Sequence, residues 1–240
     1  MDLISALDAE EGLCCFVGAG GKKSAIYALA DRLDRAVVTA TVRIPIFDEH
    51  VSTVVTTEEP RRAIDGAREW PIGLVPEREG DDRYRGYDPA VLDRIGGVDA
   101  TILVKADGAR MRRFKAPDTH EPRIPESADT VVAIASAHVV GEPLDDRLVH
   151  RVDRVAAITG TAPGDEITPS DVAKVLVSPA GGRKDVPPGA TFIPMINMID
   201  RPEDRTAGRA IAADILSLAT VDAVVLTCLR DSDPVVEICR

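Results

Sequence analysis

The sequence predicts an α/β fold, a three-layer, P-loop-like, mainly parallel sheet with helices on both faces. Three observations predict it. Short apolar runs alternate with segments of helical periodicity along the chain. Several of those runs are apolar at every position, as strands covered on both faces are. The first run passes through a glycine turn directly into a helical pattern.

Each element has its own signal. Leu13-Cys14-Cys15-Phe16-Val17 is the first strand, closed by Gly18-Ala19-Gly20-Gly21. Ile26, Leu29, Ala30 and Leu33 then recur at helical spacing. Ala36-Val37-Val38-Thr39 is a second buried strand. Val51 to Thr57 and Ile72 to Val75 read as strands, with a short helix near Arg61 to Ala67 between them and a polar stretch from Pro76 to Asp82 after them. Asp88-Pro89 opens a helix running to about Ile95. Thr101 to Val104 is a strand ending at Asp107-Gly108, and Thr130 to Ala135 is another. Thr168-Pro169-Ser170-Asp171 has the pattern of a capped helix start, with an acid three residues after the threonine. Thr191 to Ile196 is a strand ending at Asn197. Asp200-Arg201-Pro202-Glu203 caps the helix that carries Ile211, Ile215 and Leu218, and Asp222 to Thr227 is the last clear strand. No internal repeat or low-complexity linker interrupts the pattern. The expectation is a single nucleotide-binding domain over 1–240, with a proline-rich functional loop at about 109–127.

Composition narrows the function classes. With 45% hydrophobic residues the chain can bury a core. Its net charge of −11 excludes the basic footprint of a nucleic-acid binder. There are 26 Asp, 14 Glu, 23 Arg and only 6 Lys, the balance of a hydrated acidic surface such as halophiles carry. No apolar run approaches the roughly eighteen residues that a membrane helix needs, and the start lacks the basic and apolar regions of a signal peptide. Cys14, Cys15, Cys228 and Cys239 form no C-x-x-C pair. A reducing, cytoplasmic setting is expected, with the adjacent Cys14 and Cys15 pointing to opposite faces of their strand as small buried hydrophobes.

Four groups of residues carry candidate chemistry. The first is Gly18-Ala19-Gly20-Gly21-Lys22-Lys23-Ser24, between strand and helix. In such a turn, main-chain N–H groups and the helix N-terminus converge on an anion. A lysine after the last glycine reaches terminal phosphates, and a hydroxyl can meet Mg²⁺. Phe16 stands where the longer Walker loop has its first glycine, so the spacing is nearer the shorter G-x-x-G-K-[ST]-[ST] loop of Mur-type ligases, with Lys23 in place of its first hydroxyl. Read without function, the same residues are a structural glycine turn. The second is Asp107, at the strand end where P-loop proteins place a metal-binding carboxylate; the alternative is an ordinary Asp-Gly turn. The third is Asn197-Met198-Ile199-Asp200, which has the place and, apart from Met198, the residues of the base-reading N-K-x-D of GTPases; alternatively Asp200 caps the next helix. The fourth is the stretch from Asp107 to Pro125, where Arg110, Lys115, His120 and Glu121 fall among prolines and can line a pocket.

These residues resemble the YqeC family, accessory proteins of selenium-dependent molybdenum hydroxylases. The resemblance rests on Val17-Gly18-Ala19-Gly20-Gly21-Lys22, Ala106-Asp107-Gly108, Lys115-Ala116-Pro117 and His120-Glu121-Pro122-Arg123-Ile124-Pro125. It continues through Gly141-Glu142-Pro143-Leu144, His150-Arg151, Ile167-Thr168 and Asn197-Met198-Ile199-Asp200, and so covers about residues 12 to 230. It implies a cytoplasmic factor that binds ATP or GTP with Mg²⁺ and helps mature the selenium-containing molybdenum cofactor, with the hydroxylase or cofactor-maturation proteins as partners. Phosphate binding falls to Gly18, Ala19, Gly20, Gly21, Lys22, Lys23 and Ser24, metal binding to Ser24 and Asp107, and catalysis to Lys22 and Asp107. Lys115, His120 and Glu121 become substrate-pocket residues, and Asn197 and Asp200 contact the base. The chain departs from the family pattern at Lys23, at Ala40 within Thr39-Ala40-Thr41-Val42, at Lys105 and at Met198. A non-catalytic module that holds an anionic cofactor precursor or a client enzyme is the alternative. A Mur-like ligase is a third reading, disfavoured by length.

Overall fold

A computed structural model describes residues 1–240. Its nine-stranded sheet comprises β1 (Leu13–Gly18), β2 (Ala36–Ala40), β3 (Thr53–Thr56), β4 (Ile72–Val75), β5 (Thr101–Lys105), β6 (Thr130–Ser136), β7 (Thr191–Asn197), β8 (Val224–Thr227) and β9 (Val235–Cys239). The strand order is β9-β8-β7-β6-β1-β5-β2-β4-β3, and every neighbouring pair is parallel except β8 with β9.

The predicted three layers follow from side-chain alternation. Cys15 and Val17 enter one core with Val104, Val131 and Ala133, while Cys14 and Phe16 enter the other with Val38, Leu103 and Val132. The helices divide accordingly. Helices α1 (Leu3–Ala6) and α2 (Lys22–Ala30) cover the second face through Leu3, Ile26 and Leu29. Helices α3 (Pro60–Asp65), α4 (Pro89–Asp93), α5 (Val152–Thr159), α6 (Pro169–Val177) and α7 (Pro202–Leu218) cover the first, through residues such as Ile64, Leu92, Val155, Val172 and Ile211.

Helix α6 begins as its sequence dictates. Asp171 Oδ2 accepts from the Thr168 N–H at 2.9 Å while the Thr168 hydroxyl accepts from the Asp171 N–H at 3.2 Å. At α7 the reciprocal acid is Asp204, which accepts from the Arg201 N–H at 2.9 Å, so Asp200 is not the cap. Several elements carry no such signal. Helix α5 starts from a left-handed Arg151 with no side-chain cap. Strand β9 is half-exposed throughout. The polar stretch after β4 contains Glu77–Glu79, which pairs with Arg83–Arg85 and through it with Ile44–Pro45 in a small three-stranded sheet.

The proline-rich excursion is ordered by pinning rather than by regular structure. Phe114–Lys115 pairs in parallel with Val149–His150. The Ser136 N–H donates to the Arg113 carbonyl at 3.2 Å, and the Arg123 N–H to the Ala106 carbonyl at 2.9 Å. The segment is thereby tied to the carboxyl ends of β5 and β6.

Those ends form a topological switch point. From β1 the chain runs out toward β2, whereas from β6 it runs the opposite way to β7, and β1 and β6 are neighbours. A crevice opens where connections diverge, and ligands of open α/β sheets bind there. Gly18 closes β1 at this seam with φ +89°, and a Cβ added to it would stand 2.2 Å from the Ile134 carbonyl oxygen of β6. Alanine at Gly18 should therefore cost about 3 kcal/mol, lowering the melting temperature by roughly 6–12 °C for a chain of this size. Gly96, exposed and with nothing within 4 Å of its added Cβ, should accept alanine with almost no change in thermal unfolding.

Candidate functional site

The glycine loop places the start of α2 at the crevice. Gly20, at φ +92°, lies so close to β6 that a Cβ would meet the Ser136 nitrogen at 2.8 Å and the Arg113 carbonyl at 2.9 Å. Ala19 is buried, and its N–H donates to Ile134 at 2.9 Å. These residues need their small size to press the loop onto the sheet, while the other side of the loop stays open. Gly21 is the N-cap of α2 and offers no capping side chain, so the N–H groups of Lys22, Lys23 and Ser24 have no acceptor within the chain. Orphan donors at the positive end of a helix dipole are an anion site.

Beneath the loop lies a buried charge network. The Asp107 carboxylate accepts from the Gly18 N–H at 2.9 Å and pairs with Lys22 Nζ at 2.9 Å and Lys115 Nζ at 2.9 Å. Lys22 also donates to the Gly18 carbonyl. Lys115 Nζ continues to Glu121 Oε2 at 2.8 Å and the Gly108 carbonyl at 2.6 Å, and Arg151 Nη1 reaches the same Glu121 oxygen at 2.7 Å. The side chains of Lys22, Asp107 and Lys115 are 5%, 2% and 1% exposed. Burial pushes the Asp107 carboxyl up, but Lys22 and Lys115 together outweigh it and hold the group below the usual carboxylate range. Glu121 is likewise lowered against burial, by Arg151 and Lys115. Burial lowers the Lys22 ammonium despite Asp107. Burial, helped by Arg151 and Lys115, lowers His150 to about 4, leaving it neutral at pH 7. Lys22, Lys115 and Arg151 face Asp107 and Glu121, and Arg151 with Arg154 also meets Asp118, so that four cations face three carboxylates.

Above this network opens a cleft of about 970 Å³. Its lining comes from Gly20 to Ser24, from Gly108 to Arg113, and from Arg43, Pro45, Asp82 and Arg83 in and beside the small sheet. Arg43 and Arg83 pair with Glu79 and Asp82 at 2.6 and 3.2 Å. Lys23, Lys105, Arg110, Arg112 and Arg113 form no ion pair, although acids outnumber bases 40 to 29 in the chain. Arg110 and Met111 are both left-handed, at φ 46° and 63°, a strained conformation for such side chains.

The structure brings the loop residues together with Asp107, Lys115 and Glu121. His120 is not with them: it is exposed, and its neighbour Glu121 turns inward in its place. Arg110 lines the cleft as the sequence suggests, whereas Arg112 and Arg113 have no assigned role there, because their density is visible in the sequence but their freedom from carboxylates is not. Asn197 has another occupation than reading a base. It is buried, with Nδ2 donating to the Gly20 carbonyl at 2.8 Å and Oδ1 accepting from the Thr227 hydroxyl at 3.1 Å, so it braces the glycine loop against β8. Asp200 lies 3.4 Å from His138 Nε2 and accepts from the Cys228 thiol at 3.2 Å. A divalent cation fits the predicted pair only in part. Ser24 is exposed with its hydroxyl uncommitted, and Asp107 Oδ1 is buried without a hydrogen bond, but two ammonium groups already neutralise that carboxylate, the Gly18 N–H occupies Oδ2, and no group of three or more His, Cys, Asp or Glu residues forms a metal cluster.

No helix is long and apolar enough to cross a membrane. No solved structure matches the chain. A family model described as "YqeC protein" matches residues 14–153. "Uncharacterized protein YqeC" of Escherichia coli (strain K12) is 31% identical over 199 residues, which cover 80% of this chain and 77% of that protein. The matched region holds the glycine loop, Asp107, Lys115, Glu121 and all five unpaired cations of the cleft, and the chain belongs to the YqeC family.

Proposed function

We propose that the chain binds a nucleoside triphosphate, ATP or GTP with Mg²⁺, on residues 18–24 and acts as an accessory factor in maturing the cofactor of selenium-dependent molybdenum hydroxylases. The observation that carries the binding is the set of cations without carboxylate partners around an uncapped helix start, in a chain of net charge −11. Unpaired cations held beside orphan N–H groups gain most from a polyanion. The maturation role rests on the family resemblance.

In this reading the phosphates lie against the N–H groups of Lys22, Lys23 and Ser24. Lys22 is shared between Asp107 and the phosphates, and Lys23 adds a second charge from the same turn. Mg²⁺ neutralises the triphosphate, with Ser24 as the protein group free to meet it, and no step is assigned to metal on Asp107. The second reading, a module that holds its anion without turning it over, is favoured by one feature. Every carboxylate of the cleft and its floor, Asp82, Asp107 and Glu121, is already ion-paired, so none is free to act as a base.

Calorimetric titration with ATP and with GTP tests the binding. Lys22→Ala should weaken it about 10- to 100-fold, the worth of one hydrogen bond to a charged group, with thermal unfolding confirming that the variant folds. Unchanged affinity would refute the site. Because five cations remain, replacing Mg²⁺ by EDTA should cost less than about tenfold in affinity, and total loss of binding would show instead that metal organises the site. Phosphate release with and without a client hydroxylase separates turnover from holding.

A further inference from the structure

Among the unpaired cations of the cleft, Lys105 alone is buried and comes from the central sheet rather than from the glycine loop or the 109–113 segment. It ends β5, is 7% exposed, and its ammonium has a single protein acceptor, the Arg43 carbonyl at 3.0 Å. No carboxylate lies within ion-pairing distance of it, unlike Lys22 and Lys115. A lysine buried to this degree without a counter-ion is costly unless something else supplies the charge. It nevertheless lines the cleft, beside Arg43, and Arg110 is another unpaired cation of the same cleft.

The geometry points to a second anion subsite in the cleft, in which Lys105 and Arg110 take a phosphate-class oxyanion of a second reactant. The volume of about 970 Å³ lies at the top of the usual range for small-molecule sites, roughly 300–1,000 Å³, and leaves room beside a triphosphate. The α2 N-terminus supplies its orphan N–H groups to the first anion, and Lys105 comes from a different element. An arriving anion would supply the counter-charge that the protein does not. The subsite does not require that nucleotide bind the glycine loop.

With only six lysines, ¹³C-labelled lysine side chains can be followed one by one in NMR spectra, and the Lys105 signal is the one absent from Lys105→Met. Inorganic phosphate is the probe, added to the whole chain with and without saturating ATP. Phosphate should move the Lys105 signal in both arms. If ATP alone moves it and phosphate then adds nothing, Lys105 serves the nucleotide and the second subsite is refuted; if neither ligand moves it, the subsite is refuted as well. Should ATP move no resonance at all while phosphate still moves that of Lys105, the nucleotide reading falls and the subsite stands. Lys105→Met should also melt at the same or a higher temperature, because an apolar side chain removes an uncompensated charge. A drop of several degrees would mean that the lysine serves the fold through Arg43 and not a ligand.

Discussion

One buried carboxylate ties the site together. Asp107 receives the amide of Gly18 from the end of β1, the ammonium of Lys22 from the first turn of α2, and the ammonium of Lys115 from the proline-rich excursion. Removing a carboxylate and two ammonium groups from water costs several kcal/mol per ion before any attraction is counted. The pairs are therefore weak evidence for stability, and a well-packed apolar substitute would hold the fold as well. What the network provides is position. It fixes the loop, the strand end and the excursion in one register, and it keeps a positive excess directly beneath the orphan N–H groups of α2.

Much of this was legible in the sequence where a local rule sufficed. The loop at 18–24 could be found because an apolar strand precedes it and a periodic helix follows it, and the capping box of Thr168 and Asp171 is written in four consecutive residues. For Lys115 and Glu121 the proline-rich stretch gave only a general pocket signal, which the family pattern sharpened, since their meeting depends on a two-residue parallel pairing with Val149–His150 that has no sequence signal. His120 shows the limit of such a pattern: adjacency to Glu121 placed it in the pocket, and the turn of the chain leaves it in solvent. Helix α5 and strand β9 lacked a cap and a fully apolar run respectively, so tertiary packing alone specifies them.

The departures from the family pattern sort by location. Ala40 lies inside β2, and the flanking Thr39 and Thr41 hydroxyls donate to the Leu74 and Arg123 carbonyls at 2.7 and 2.5 Å, so that strand end is structural. Met198, left-handed at φ 66°, accepts from the Ser136 hydroxyl at 3.0 Å through its sulfur and lines the cleft without charge. Lys23 and Lys105 are different: each lines the cleft and adds a cation there, and neither is paired. Both departures add positive charge to the cleft while the chain as a whole is acidic.

Those two tendencies act over different distances. A net charge of −11 repels an approaching anion from afar, whereas the cleft attracts it at contact. Salt separates the effects, because exposed charges more than about 8 Å apart are screened at physiological ionic strength and buried ones much less so. Rising salt removes the distant repulsion first, together with the pull of the outer arginines of the 109–113 segment. Lys22 and Lys105, 6% and 7% exposed, retain most of theirs. An acidic surface and a dry cationic floor are thus compatible parts of one design, in which the local charge of the cleft is set by the buried lysines and the α2 amides rather than by the field of the whole molecule.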